Sequence, residues 1–377
     1  MRAERARSPV LVTGATGFIG RAVVRRLLAS GRRVVAMARG QRGESAAARV
    51  AKAVGVSPDG CCLDVVEADL THPAGGLDDL ARQRLREMVE TVIHCAGETV
   101  FFPDDLVSFR AGHVDGPLHV LHALQGGQLR RWAHLSTAYV CGQRSGTVFE
   151  SEGDVGQAFH NSYEHVKLEA EEAVRGAGAR LGVDVRVFRP SVVLGGAPET
   201  AGGNPSNRFF AFIRMMAALA RFPNTSDVRL RIAAAPKARF NIVPVEYVAT
   251  AMVVLAEHPD GIGETFHLVV SDPPTQEAML AMIAEYLGLQ GLSLVDARHT
   301  QLEDPSPLER KVARMGSIYL EYLTQDIHFD DRIARRLLDS SGVPRPTLLP
   351  DDVHRFLDQA LMPSASRERK HRPWTCA

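Results

Sequence analysis

Residues 10–21 read VLVTGATGFIGR, and the fold is decided by how this stretch is read. A short β-prone run ends at Gly14, further glycines follow at 17 and 20, and RAVVRRLLASG then carries apolar residues at helical spacing. Strand, glycine turn and helix in direct succession make a cradle for a pyrophosphate. Small residues let the backbone approach the phosphates, and the helix N-terminus offers free N–H groups and a positive dipole end. A glycine triplet alone is a weak signal; between a strand and a helix it is a strong one. Gly14, Thr16, Gly17, Phe18, Ile19, Gly20 and Arg21 are therefore candidate cofactor contacts, and Gly31 is placed to cap the helix.

Outward from this turn, β-rich runs alternate with helical patterns. Candidate strands are RVVAM (33–37), LDVVEA (63–68), TVIHCAG (91–97), RWAHLST (131–137) and VDVRVFRPS (183–191). Such alternation predicts an α/β fold, a Rossmann-type doubly wound parallel sheet. After RPSVVLGGAP the character changes. A Gly- and Pro-rich loop (194–207), a helical FFAFIRMMAALARF and a strand–turn–helix pattern at 239–258 follow, then GETFHLVV at 263–270. From about 272 the chain reads as mostly helical. The expected division is a dinucleotide-binding domain over 1–195, with 239–270 returning to it. Residues 196–238 and 271–377 would form a smaller, mostly helical substrate-binding region.

The 377 residues hold 44 Lys plus Arg against 44 Asp plus Glu, a formal net charge of zero. Nucleic-acid binders and acidic-membrane binders normally carry a basic excess, so neither is expected as a partner. Cysteines at 61, 62, 95, 141 and 376 include no Cys-x-x-Cys pair. This suits a reducing cytoplasm rather than a disulfide framework or zinc site. MRAERARSPV leads straight into a strand, so no signal peptide is expected, and no apolar run is long enough to span a membrane.

The second strand of such a fold should end in the residue that reads the ribose, an acid for NAD or an arginine for NADP. Here VVAMARGQR places Arg39 there, with Arg21 and Arg42 nearby and no acid before Glu44. A guanidinium matches a 2′-phosphate in charge and fork geometry, which favours NADPH. Asp69, just past the third strand and followed by Leu70, is placed either to reach adenine or to serve as a turn acid.

NSYEHVKLEAEEAV (161–174) begins a helix with Tyr163 and Lys167 on one side, just over a turn apart. The preceding strand ends HLSTAYVCG, with Thr137 at the carboxyl edge where parallel sheets hold ligands. The set reads as carbonyl chemistry. Lys167 would lower the tyrosine pKa, Thr137 would hydrogen-bond a carbonyl, and Tyr163 would donate the proton as hydride arrives.

At these residues the sequence resembles the extended short-chain dehydrogenase/reductases. Its nearest likeness is the fatty acyl-CoA reductase and carrier-protein thioester reductase branch. VTGATGFIGR, VIHCAGETVFF, HLSTAYVCG, YEHVKLEAE, RPSVVLG, FNIVPVEYVA and YLTQDIHFDDRIARRLL carry the likeness over nearly the whole chain. The resemblance implies Thr137, Tyr163 and Lys167 as a catalytic trio, with Lys167 also holding the cofactor and Ser136 an auxiliary hydroxyl. It further implies Ala96 and Gly97 along the cofactor, and Pro190 and Ser191 near the nicotinamide carboxamide. One departure is HVDGPL, which puts His113 where relatives keep an Asn that helps hold a water of the proton relay. His113 would replace the relay or simply pack.

His94 and Cys95 read as strand residues beside a cofactor rather than metal ligands. FFAFIRMMAAL reads as an acyl channel or a core helix. EAEEA reads as the solvated face of the catalytic helix, and RERKHR as a disordered tail. The expected activity is NADPH-dependent reduction of acyl thioesters, on coenzyme A or a carrier protein, to aldehyde or alcohol. The alternatives are a dehydrogenase or ketoreductase of an alcohol–ketone pair (sterol, polyketide or nucleotide sugar) and a non-catalytic dinucleotide sensor.

Overall fold

The computed structural model describes residues 8–41, 43–58, 62–195, 208–220, 229–300 and 302–361, without the side chains of 208–212, 219 and 315–321. Arg42, Cys61, Cys376, most of the 194–207 loop and RERKHR lie outside the described residues. β1 (Val10–Thr13) leads through the glycine turn into α1 (Phe18–Ala29), then β2 (Val34–Ala38), α2 (Ala46–Val54), β3 (Leu63–Glu67), α3 (Asp79–Met88) and β4 (Thr91–His94). α4 (Leu106–Arg110), α5 (Gly116–Ala123), β5 (Arg131–Leu135), β6 (Gly146–Val148), α6 (Ser162–Leu181) and β7 (Asp184–Pro190) follow. Next come β8 (Val192–Leu194), α7 (Arg208–Leu219), β9 (Leu230–Ala234), β10 (Ile242–Pro244), α8 (Val245–Leu255) and β11 (Thr265–Leu268). The remainder is α9 (Gln276–Leu287), β12 (Leu292–Asp296), α10 (Pro307–Thr324), β13 (Ile327–Phe329), α11 (Arg332–Ser340) and α12 (Pro350–Leu361).

Seven strands form one parallel sheet in the order β11-β7-β5-β4-β1-β2-β3, so the doubly wound architecture expected from the sequence is present. Alternation along the strands explains its two faces. Val10, Val12, Val34, Ala36 and Phe188 point to one side, beneath Val23 and Leu27 of α1, Met252 of α8 and Leu337 of α11. Leu11, Val35, Met37, Val92, Trp132 and Val187 point to the other, beneath Leu85 of α3, Leu121 of α5 and Val174 of α6. The chain reverses direction across the sheet between β1 and β4. Open parallel sheets place their ligands at such a switch point, at the carboxyl ends of the strands.

Three two-stranded parallel pairs, β10 with β8, β12 with β9 and β13 with β6, lie outside the main sheet. The region after 272 is therefore less purely helical than expected. β12 and β13 are only five and three residues long and take their partners from far along the chain, so periodicity offers little to read. Beyond the sheet, Leu194, Ile213, Ile283, Val353 and Phe356 build a separate apolar cluster that joins α7, α9 and α12.

The acidic run of α6 is a second correction. Within EAEEA (169–173) Ala170 is 0% exposed and Glu171 2%, so the helix does not turn the run wholly to solvent. Glu171 instead meets Arg189 of β7 in a buried fork, with Oε1 to Nε at 3.0 Å and Oε2 to Nη2 at 2.6 Å. Two desolvated charges are tolerable only when paired and hydrogen-bonded in this way.

Candidate active site

The glycine turn is shaped by contacts that no other residue could make. Gly14 has φ +66°, and a Cβ there would stand 2.6 Å from the Ala96 nitrogen. At Gly20 a Cβ would stand 2.1 Å from the Gly14 carbonyl oxygen. The Gly17 N–H donates to that same carbonyl at 2.8 Å, and Gly17 opens α1 with no side chain capping the helix. The first N–H groups of α1 thus receive no side-chain cap from Gly17, which fits a dinucleotide pyrophosphate. Thr16 lies in the turn, and Phe18 and Ile19 begin the helix. The Arg21 guanidinium lies 5.6 Å from the Phe18 ring centroid, and burial lowers its pKa.

Because the strands are parallel, their next residues share one edge. Ala96 and Gly97 follow β4, and the Ala96 N–H donates to Thr13 Oγ1 at 3.3 Å. Arg39 follows β2, half-exposed, 4.0 Å from the Glu98 carboxylate. Asp69 accepts the Thr71 N–H at 3.1 Å and the Thr71 hydroxyl at 2.8 Å, so its side chain builds a turn, and Leu70 packs beneath it. Pro190 ends β7, and the Ser191 hydroxyl beyond it donates to Asn241 Oδ1 at 2.8 Å. Asn241 in turn bonds the Val270 backbone at both its oxygen and its nitrogen, which gives the FNIVPVEYVA segment a structural part at the same edge.

At the end of β5, Ser136 and Thr137 are both buried. Thr137 accepts the Tyr139 N–H at 3.3 Å and opens a short 3-10 turn, Ala138–Cys141. The Ser136 hydroxyl has no hydrogen-bond partner among the described residues. A buried hydroxyl of this kind is costly unless something else engages it.

α6 begins at Ser162 because Asn161 accepts the Glu164 N–H at 3.1 Å, satisfying a helix-start donor. Tyr163 and Lys167 fall in its first two turns. The Lys167 ammonium, buried at 5% exposure, donates to the Leu135 carbonyl at the end of β5 at 2.5 Å. Burial lowers its pKa to about 8, with Glu171 pulling the other way. Tyr163 is pushed up to about 12, chiefly by burial; a side-chain hydrogen bond with Thr99 opposes the shift and the Glu164 charge adds to it. The expected lowering of the tyrosine by Lys167 is therefore not what this state of the site provides. Lys167 is not among the causes of the Tyr163 shift, and its ammonium donates to a main-chain carbonyl instead.

His113 stands on a π-helical turn, Ala111–Asp115. Its Nδ1 lies 2.9 Å from the Phe109 carbonyl, and its Nε2 lies 3.0 Å from the Glu98 carbonyl and 3.1 Å from the Glu98 N–H. Burial and the Lys167 charge hold its pKa near 4, so the ring is neutral and ties α4 to the loop after β4. His94 bonds Thr13 Oγ1 at 2.9 Å and stacks on Trp132, a packing arrangement inside the sheet layer. Thr99, Phe101 and Tyr322 were not singled out by sequence. Phe101 lies between Tyr163 and Tyr322, with ring centroids 6.0 and 5.8 Å away. Only the quoted VIHCAGETVFF and YLTQDIHF segments signalled that something was held there.

Among the described residues no helix is long and apolar enough to cross a membrane. The structure is similar to the terminal R domain from the myxalamid PKS-NRPS biosynthetic pathway. The TM-score is 0.76 at 21% identity, covering 94% of this chain and 90% of that one, a likeness of fold. In sequence it is 26% identical to an NRPS-like oxidoreductase of Fusarium equiseti over 59% of this chain and 21% of the relative. It is 25% identical to a carboxylic acid reductase of Segniliparus rugosus over 67% of this chain and 24% of the relative. The chain thus spans between a fifth and a quarter of the length of those two relatives. A family model described as Male sterility protein, NAD_binding_4, matches residues 12–252, well over half of the sequence, and the chain belongs to that family.

Proposed function

We propose that this chain is an NADPH-dependent reductase of acyl thioesters, presented by coenzyme A or a carrier protein and reduced to aldehyde or alcohol. One observation carries the reading. The Lys167–Leu135 bond seats the first turns of α6, with Tyr163, on the strand edge that also bears the phosphate turn and Thr137. Relatives named as an NRPS-like oxidoreductase and a carboxylic acid reductase support the thioester over a simple ketone. Arg39, half-exposed at the end of β2, and Arg21 support NADPH over NADH.

When bound, the cofactor supplies hydride to the thioester carbonyl carbon. Tyr163 is protonated at neutral pH and donates to the carbonyl oxygen as charge develops there. Thr137, and Ser136 with its uncommitted hydroxyl, supply further hydrogen bonds to that oxygen. Lys167 keeps a positive charge close to the developing anion. The hemithioacetal then collapses, its C–S bond breaks, and the sulfur leaves with a proton as free thiol. Residues 196–238 and 271–377 would bind the acyl group.

The deciding experiment follows NADPH oxidation and free thiol together on acyl-CoA and acyl-carrier thioesters. One NADPH per thiol means aldehyde, and two mean alcohol. NADPH loss only with ketones or aldehydes would make the chain a ketoreductase with the same trio.

A further inference from the structure

We infer that Tyr322, at the end of α10, is a positioning residue for Tyr163, gripping the start of α6 from the C-terminal region. The inference rests on the reading of Tyr163 as the proton donor.

The Tyr322 hydroxyl sits at a junction of two side chains that govern the helix start. It donates to Glu164 Oε1 and accepts from Asn161 Nδ2 at 2.6 Å. Asn161 is the cap of α6, and Glu164 is the residue directly after Tyr163. The Glu164 carboxylate also accepts the His160 N–H at 2.9 Å, with His160 Nδ1 at 3.1 Å. A second route runs through the rings. Tyr322 lies 4.8 Å from His160, 5.2 Å edge-on from Tyr139 and 5.8 Å from Phe101, and Phe101 lies 6.0 Å from Tyr163. Tyr163 is thus approached both through the main chain at Glu164 and across the Phe101 ring.

Chemistry explains why a hydroxyl is needed at this point. The first turn of a helix has no preceding turn to hold its N–H groups, so its geometry depends on the cap. Glu164 is fully buried, and a buried carboxylate left short of donors is unstable. Tyr322 supplies a donor to the carboxylate and an acceptor to the cap amide with one atom. Phenylalanine would fill the same space and supply neither.

The segment carrying Tyr322 is itself fastened to the catalytic loop. Gln325 Nε2 donates to the Gly142 carbonyl at 3.0 Å, and β13 pairs with β6. Glu150 accepts the N–H groups of Ile333 at 2.6 Å and Ala334 at 3.1 Å at the start of α11, and of His267 at 3.0 Å in β11. Residues 322–334 therefore form a strap over the loop between β5 and α6. Tyr322 is its contact with the catalytic helix.

The test compares wild type, Tyr163→Phe, Tyr322→Phe and Glu164→Gln, with octanoyl-CoA and octanal as substrates and NADPH binding measured by fluorescence. Tyr322→Phe should lower kcat by about 10- to 100-fold, as a misplaced acid does. KM should change by less than about threefold and NADPH affinity stay at the wild-type value, so the loss is not one of folding. The pH profile should shift as well, because the Glu164 charge acts on Tyr163 and has lost its hydroxyl donor; Tyr163 also meets Thr99 and the edge-on ring of His113 at 6.4 Å, while His160 and Tyr139 lie against Tyr322. Glu164→Gln, which keeps an acceptor and loses the charge, should lower kcat too, and it decides the matter if Tyr322→Phe does not fold. Wild-type kcat and pH profile in either variant, with Tyr163→Phe inactive, overturn this inference alone. Turnover retained in Tyr163→Phe overturns the proposed function and this inference together.

Discussion

The Lys167 ammonium donates to the Leu135 carbonyl at 2.5 Å, so the second turn of α6 is tied to the last residue of β5, two positions before Thr137. A buried ammonium with a pKa near 8 is held against the preference of its environment for the neutral form. Lys167→Met should abolish turnover and yet stabilise the fold at pH 7, by no more than about 2 kcal/mol, because leaving the Leu135 carbonyl without its donor offsets part of the pKa difference. The folded pKa lies below the unfolded one, so wild type gains stability as pH rises from about 8 to 10.5, while the variant does not. Paired thermal melts across that range check this; a variant less stable than wild type at pH 7 would refute it.

Tyr163→Phe should lose at least about 100-fold in kcat, the scale of a general acid, with NADPH affinity unchanged. Thr137→Val should cost less, about 10-fold or more, because the oxyanion keeps its proton donor. Steady-state rates and cofactor fluorescence on the same preparations separate the two effects.

Arg39 ends β2 with its side chain half-exposed. Arg39→Ala should raise the KM for NADPH by about 10-fold and leave that for NADH nearly untouched, because only the former has a phosphate for the guanidinium to fork. Equal changes for the two cofactors would remove Arg39 from the ribose site.

Gly20→Ala should prevent NADPH binding and destabilise the domain by about 1–3 kcal/mol, the usual scale of core overpacking. The new Cβ would stand 2.1 Å from the Gly14 oxygen, so the turn itself must move. Cofactor titration with chemical denaturation tests both halves.

Glu150 carries a pKa raised to about 7 by burial, despite three backbone N–H donors. Its folded pKa lies above its unfolded one, so the stability it contributes is fully present below about 4.5 and is lost as pH rises through 7. The stability difference between wild type and Glu150→Gln should therefore fall by about 3 kcal/mol between those limits and stay flat above them. Denaturation at several pH values measures the slope, and a pH-independent difference would contradict it.

The sheet was legible because its signals are local. VLVTG followed by a glycine turn, and the strands ending at His94, Leu135 and Pro190, carry their own patterns of apolar residues. Other features depend on distant partners. Nothing in EAEEA tells that Glu171 finds Arg189, because the pair forms only when α6 packs on β7. The three residues of β13 have no period to read and become a strand only against β6. The site divides in the same way. Tyr163 and Lys167 stand at helical spacing in the sequence, whereas the raised pKa of Tyr163 comes from burial, which no spacing reveals. Thr99 and Tyr322 acquire meaning only beside Tyr163 and Glu164.

The strap has a consequence in time as well as in space. Tyr322 is separated by 158 residues from the Glu164 it bonds. A ribosome adding about 5–20 residues per second exposes Tyr163 and Lys167 many seconds before that partner exists. The glycine turn and the first strands can form while Tyr163 is still loosely held. On the function proposed above, the last turn of α10 would complete the setting of Tyr163, so a nascent chain would acquire dinucleotide binding first and catalytic power late.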